Sequence, residues 1–248
     1  MIKYIKLIFF ALFISCSSNS NEGMYVYPQE LSITNSHGIP KDSLAFYFPI
    51  SSQFSGLDTF KMNWFSSALY CAKEPILYNF YLDQDIYRFL WLRSFYRPII
   101  LSIYKKGEKV WLVTKELDKQ PQFMDDHNVG WVSSDFFGKN TLTTSMVKDT
   151  MIYIDTVIKA DRKAEITINQ TKQLSIKEWE EFESLINKFS FWKSKPLLED
   201  SGCDGSEWTI EGHLKNRYWY VSRWSPKDSI KEVGLWLIAK SGLKEEVY

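Results

Sequence analysis

The first elements predicted from the pattern of apolar positions are helices. An apolar run fills residues 7–14. Further along, apolar side chains recur at helical spacing from Phe60 through Trp64 to Cys71, which predicts a helix over residues 58–74. The apolar residues of the stretch 84–95 predict a second helix before a proline.

The next pattern is typical of β-hairpins. Residues 98–117 contain two β-rich runs separated by a turn at Lys106 and Gly107. A second hairpin is predicted over residues 207–225, with its turn near Lys215 and Asn216. Further strands are predicted at residues 151–158 and 164–170.

Two copies of the sequence SIKE predict helix starts. In such a capping box the serine side chain accepts from the backbone amide of the glutamate three residues later, and the glutamate side chain reaches back to the amide of the serine. The copies are Ser175 to Glu178, opening a helix to about residue 189, and Ser229 to Glu232, opening a helix that ends at Gly242.

This order of elements predicts an α+β fold, with helices packed on an antiparallel sheet built from two β-hairpins and additional strands. We expect residues 31–248 to form a single domain. A helix followed by a hairpin occurs twice, so an arrangement in two helix-plus-hairpin halves is the alternative.

The first residues resemble the signal peptide of a bacterial lipoprotein. Two lysines precede the apolar run, and Ile14 and Ser15 precede Cys16. The resemblance implies removal of residues 1–15, diacylglycerol on the Cys16 thiol, and residues 16–30 as a flexible tether. It also implies an envelope location, with the outer membrane favoured by Ser17 and the body in the periplasm or at the surface. A plain signal peptide with an incidental cysteine is the alternative.

The composition limits the classes of partner that the folded domain is expected to bind. The chain of 248 residues has 30 basic and 30 acidic residues, which gives no indication of nucleic-acid binding or of general attraction to anionic headgroups. Aromatic residues make up 17%, which is enough for a large core and for a surface groove. In an oxidising compartment we expect a disulfide between Cys71 and Cys203, the alternative being two separate buried thiols.

The body resembles an uncharacterised family of bacterial envelope proteins. The resemblance lies in DGSEWTIEG, in the aromatic strand ending RWSP, and in the earlier segments EPIL and YRFLWLRSF. Tyr96 and Trp219 stand where that family often has histidine. The family implies a fold unit and no mechanism.

Those segments contain a set of charged residues among large apolar side chains, a combination that is rarely buried without pairing. One interpretation is a polar cleft that binds a ligand; the other is a set of structural ion pairs. The candidate residues are Glu74, Arg88, Arg93, Asp204, Glu211 and Arg223.

Other chemistry has little support in the sequence. The three histidines are scattered, and the acidic pair before His127 is a weak metal signal, so no metal site and no cofactor are expected. Phosphate-binding and nucleophile-elbow motifs are missing from the sequence.

We therefore expect a lipid-anchored envelope protein whose body binds a partner protein or a glycan, in an interaction or protective role, and which is not an enzyme. The alternative is an envelope hydrolase that cleaves a glycan or peptide through paired carboxylates from Glu74, Asp204 or Glu211. A hydrolase should place two carboxylates in one concave pocket, whereas a binding protein should expose an apolar patch.

Overall fold

The computed structural model describes residues 24–50, 57, 59–121, 163–198, 202 and 204–247. These residues form a six-stranded antiparallel sheet in the order β4-β3-β2-β1-β5-β6. The elements in chain order are α1 (Thr59–Cys71), β1 (Asp85–Arg93), β2 (Ile99–Lys106), β3 (Lys109–Leu117), β4 (Ile166–Leu174), α2 (Ile176–Lys188), a 3-10 turn (Phe191–Lys193), β5 (Ser206–Leu214), β6 (Arg217–Trp224) and α3 (Ser229–Ser241). The predicted α+β fold is confirmed.

The sheet separates two hydrophobic cores. One core lies beneath α1 and residues 24–50, and the other lies beneath α2 and α3. Because side chains alternate across a strand, β1 contributes Leu90 to the first core and Phe89 to the second. No helix in the described part of the chain is both long enough and apolar enough to cross a bilayer.

The predicted first helix is confirmed, with an earlier end. It stops at Cys71, and Lys73 then takes a left-handed conformation with φ of 53° before the proline at residue 75. Phe65, Ala68 and Leu69 on its inner face are fully buried.

The prediction of a helix over residues 84–95 is wrong, since this stretch is strand β1. The strand lies at the centre of the sheet and is covered on both faces, so nearly all its residues are buried. A strand buried on both sides loses the alternating pattern that identifies most strands, and a short apolar run then fits either element. The aromatic and β-branched residues Ile86, Tyr87 and Trp91 favour the strand.

Both predicted hairpins are confirmed. Lys106 pairs with Lys109 around a turn in which Gly107 has φ of +57°, and Leu214 pairs with Arg217 around the second turn. The strand predicted at residues 164–170 is β4, displaced toward the C-terminus. The strand predicted at residues 151–158 lies outside the described residues.

One of the two predicted capping boxes is present. Ser175 accepts from the Glu178 amide at 3.2 Å while the Glu178 carboxylate accepts from the Ser175 amide at 2.8 Å. In α3, however, Asp228 is the N-cap and accepts from the Ile230 amide, so the prediction of Ser229 as the cap is wrong. A carboxylate one position earlier satisfies an amide of the first turn and interacts favourably with the helix dipole. The predicted end at Gly242 is confirmed by its φ of 78°.

Packing begins within the stretch predicted as tether. The Tyr25 amide donates to the Asn216 carbonyl at 2.9 Å, and the Tyr27 hydroxyl donates to the Leu214 carbonyl at 2.6 Å. Tyr27 is only 6% exposed. The chain is therefore held at the β5–β6 turn from its first described residues.

Candidate functional site

The six charged candidates divide into one buried trio and three residues in separate places. The trio is Glu74, Arg88 and Glu211. It forms because Arg88 on β1 lies opposite Glu211 on β5 in the sheet register, and because Glu74 lies three residues after the end of α1.

Arg88 is the centre of the trio. Its Nε donates to Glu211 Oε2 at 2.7 Å, Nη2 donates to the same oxygen, and Nη1 donates to Glu74 Oε2 at 3.5 Å. The remaining carboxylate oxygens also have partners. Lys115 Nζ donates to Glu74 Oε1 at 2.7 Å, and the Tyr218 hydroxyl donates to Glu211 Oε1 at 3.0 Å.

The three side chains of the trio are at most 1% exposed. Burial alone would lower the pKa of Arg88, but the charges of Glu211 and Glu74 raise that pKa above its ordinary value. Each carboxylate thus neutralises a cation and accepts several hydrogen bonds. This geometry matches the structural ion-pair interpretation, in which removal of one member leaves an unpaired buried charge.

A cavity of about 340 Å³ opens beside Glu74 and is also lined by Cys71 and Lys73. Glu211 is not among its described lining residues, so the described residues do not place two of the candidate carboxylates together in this cavity. Cys71 is 7% exposed. Cys16 and Cys203 lie outside the described residues, as does His127, so lipidation and the disulfide stay predictions.

The trio belongs to a longer row of buried polar residues that the sequence analysis missed. The face of β5 that lies beneath α1 carries Glu207, Thr209, Glu211 and His213, each at most 1% exposed. The signal was present as an alternation of polar residues with Trp208 and Ile210. Such an alternation ordinarily indicates a strand with one face in solvent, and only the positions of α1 and of the segments around Tyr27 and Tyr81 show that this face is buried.

Glu207 is the second carboxylate of that row. Its Oε2 accepts from Lys61 Nζ on α1 at 3.2 Å, and its Oε1 accepts from the Ser222 hydroxyl at 2.5 Å. Burial raises the pKa of Glu207 above its ordinary value, while Lys61 acts in the opposite direction.

His213 ends the row near the N-terminal segment. Its Nε2 accepts from the Leu82 amide at 3.0 Å, and its Nδ1 lies 2.6 Å from the Leu77 carbonyl, to which it donates. The ring also stacks on Tyr81 and meets the edge of Tyr27. Burial lowers the pKa of His213 to about 4, so the ring is neutral.

The other three candidates do not join the trio. Asp204 is exposed. Arg223 donates to the carbonyls of Lys195 and Ser222 at 2.9 and 2.7 Å, and the bond to Lys195 joins that residue to edge strand β6. Arg93 is the last residue of β1, and it lines a second, larger cavity.

This cavity, here called the Phe95 groove, has a volume of about 570 Å³. It is lined by residues 93–97 around the β1–β2 turn, by residues 116 and 118–120, and by Glu245. Phe95 is 77% exposed and Tyr96 is 53% exposed at its edge. The described lining includes three basic and three acidic side chains, so the groove has no excess of either charge.

Hydrogen bonds with residues elsewhere in the chain hold the turn that carries these exposed aromatic residues. The Gln120 side-chain amide donates to the carbonyls of Arg93 and Tyr96 at 2.9 and 3.0 Å. Ser94 donates from both its amide and its hydroxyl to the Gly205 carbonyl. The Arg93 guanidinium lies 4.4 Å from the centre of the Trp91 ring and 5.1 Å from that of Tyr96. The two aromatic side chains are therefore presented on a preorganised loop.

Comparison with protein-family models, with curated protein sequences and with solved structures finds no match for this chain. The resemblance to a family of bacterial envelope proteins thus stays a prediction.

Proposed function

We propose that this protein is a lipid-anchored component of a bacterial cell envelope that binds another envelope component, a protein or a glycan, in an interaction or protective role. The observation that supports binding is the Phe95 groove. Its volume of about 570 Å³ falls within the range typical of ligand pockets, roughly 300–1000 Å³.

The geometry of the turn supports the same proposal. A large apolar side chain that is 77% exposed loses contact with water when a partner covers it, which is favourable. Because hydrogen bonds already hold the backbone of the turn, binding costs little additional conformational entropy. Exposed aromatic residues on a fixed loop are typical of sites that contribute strongly to binding.

The location rests on the start of the sequence. Residues 1–15 have the charged start and apolar run of a signal peptide, and Cys16 follows in the position that is lipidated in bacterial lipoproteins. Two or more acyl chains hold a protein firmly on a bilayer, whereas one holds it weakly.

The hydrolase alternative has one observation in its favour, which is that Glu74 and Glu211 meet at Arg88. A glycosidase needs one protonated carboxyl group and one that reaches substrate or water. Here both groups are bound to cations and buried, so binding has the stronger support.

The proposal is tested by cross-linking the anchored protein in intact envelopes and identifying what it captures. We expect capture to persist in Ile50→Ala and to be lost in Phe95→Ala. Ile50 is the matched control because it is also 77% exposed and does not line the groove. Equal capture by all three proteins would overturn the role of the groove. Hydrolysis of envelope material that disappears in Glu211→Gln, in a variant that remains folded, would favour the hydrolase.

A further inference from the structure

The Phe95 groove already contains a carboxylate that belongs to the chain itself. Arg93 lines the groove, and its Nη1 donates to Glu245 Oε2 at 2.5 Å. Glu245 lies four residues after the end of α3 at Ser241. The side chain of Arg93 is 3% exposed, whereas that of Glu245 is 25% exposed. The arginine is therefore the buried member of this ion pair, and the carboxylate is the accessible one.

The segment that carries Glu245, residues 243–247, lies on the protein as a bound peptide would. Leu243, Glu245 and Val247 are half-buried, whereas Lys244 and Glu246 between them are exposed. An alternation with a period of two is that of an extended chain with one side against a surface. The two apolar side chains pack on the core beneath α2 and α3. The side of the segment that faces the protein thus has the order apolar, acidic, apolar.

Few contacts hold this segment in place. Among the described residues, no backbone–backbone hydrogen bond joins residues 244–247 to the rest of the chain. The attachment consists of two half-buried apolar side chains and the ion pair of Glu245 with Arg93. An ion pair with a partly exposed member contributes little to stability. A competing peptide therefore has little binding energy to overcome.

Arg93 has contacts that hold its position without Glu245. Its Nη2 donates to the Arg97 carbonyl at 3.0 Å, and its guanidinium lies against the rings of Trp91 and Tyr96. Its Nε has no hydrogen-bond partner among the described residues. Because a buried cation without a counter-charge is costly, and because a guanidinium pairs best with a carboxylate, departure of Glu245 favours the entry of another carboxylate.

We propose that the Phe95 groove binds an extended acidic peptide segment of a partner protein, and that the carboxylate of this segment takes the place of Glu245 on Arg93. Residues 243–247 are then a resident segment that the partner displaces, and the exposed Phe95 and Tyr96 contact apolar side chains of the partner. Exchange of one carboxylate for another leaves the charge of the groove unchanged, so its equal numbers of basic and acidic side chains do not oppose binding. This inference rests on the proposed binding role of the groove.

The test is calorimetric titration of the full chain with a synthetic peptide that has the sequence of residues 243–247 and blocked ends. We expect Glu245→Gln to bind this peptide about tenfold more tightly than wild type, because the resident carboxylate no longer competes. Glu246→Gln is the matched control, since it removes the same charge from an exposed side chain that is not among the described lining residues. Its affinity should equal that of wild type.

Two further measurements identify the groups that make the contact. The same peptide with Glu245→Gln should lose the tighter binding, because it lacks the carboxylate for Arg93. The double variant Arg93→Gln with Glu245→Gln should lose it as well. Both members of the ion pair are replaced there, so no buried charge is left unpaired.

Equal affinities of Glu245→Gln and Glu246→Gln for the peptide would overturn the displacement. Binding of an oligogalacturonate at Arg93 in place of the peptide would overturn the peptide as the ligand class. The capture experiment separates this inference from the proposed function, since Glu245→Gln should capture more of the partner than wild type. Capture that depends on Phe95 but is unchanged in Glu245→Gln would overturn the inference and leave the binding role in place. Capture that does not depend on Phe95 would overturn both.

Discussion

Protonation of His213 is expected to destabilise the folded state. The ring is buried, and both nitrogens are engaged with the backbone. A second ring proton would turn Nε2 from an acceptor into a donor that faces the donating amide of Leu82. The charge of Arg88 opposes protonation as well, and the rings of Tyr27 and Tyr81 exclude water from the site.

The magnitude follows from the two pKa values. The pKa of His213 falls from 6.5 to about 4 on folding, mainly because of burial. At about 1.4 kcal/mol per pH unit, this difference corresponds to roughly 3 kcal/mol. Below pH 6.5 the unfolded chain binds a proton that the folded chain does not bind until about pH 4. The contribution of the neutral His213 ring to the free energy of unfolding is therefore complete above pH 6.5, decreases as the pH falls, and is lost below about pH 4.

The assay is urea unfolding followed by tryptophan fluorescence at a series of pH values across this window. Other groups also titrate there, so the comparison is between wild type and His213→Gln, which keeps a donor and an acceptor but cannot be protonated. The free energy of unfolding of the variant should fall less steeply with decreasing pH. His37→Gln is the control for the substitution itself, since His37 is exposed and its replacement leaves the contacts of His213 in place. Parallel slopes for wild type and His213→Gln would refute the reasoning.

Three further predictions concern stability and use the same unfolding assay. Arg88→Met should lower the free energy of unfolding by about 3–5 kcal/mol, because two buried carboxylates lose their shared cation; a loss under 1 kcal/mol would show that the carboxylates find other partners. Asp228→Ala should lower the free energy of unfolding by about 1 kcal/mol and Ser229→Ala should leave it nearly unchanged, since Asp228 caps α3. A larger loss for Ser229→Ala than for Asp228→Ala would show that the serine is the cap. Gly234→Ala should cost about 1–3 kcal/mol, because a Cβ there would overlap the ring of Trp208, and an unchanged stability would show that the ring moves aside.

The elements predicted correctly from sequence are those specified by residues that are close together in the sequence. The turn between Lys106 and Lys109 needs a residue that tolerates positive φ, and Gly107 provides it. The start of α2 is specified by Ser175 and Glu178, which contact each other within one turn. Neither signal depends on the rest of the chain.

The features that were missed depend on neighbours that are distant in sequence. β1 is almost entirely buried because α1 with residues 24–50 covers one face of the sheet and α2 with α3 covers the other. Ion pairing of Glu74, Arg88 and Glu211 was one of two predicted interpretations, but which charges meet is decided by strand register. The groove depends on an exposed Phe95 at a turn, and a sequence does not distinguish an exposed aromatic residue from a buried one.

Contacts with the buried polar row hold α1 on the sheet, and α1 is also linked by a hydrogen bond to a residue that lines the Phe95 groove. A shift of α1 would separate Lys61 from Glu207, and this buried carboxylate would lose its lysine partner. One turn further along α1, Trp64 Nε1 donates to Gln120 Oε1 at 3.2 Å. The amide nitrogen of Gln120 in turn holds the carbonyls of Arg93 and Tyr96. The contacts that fix the helix are thus linked through one glutamine to the loop that presents the exposed aromatic residues.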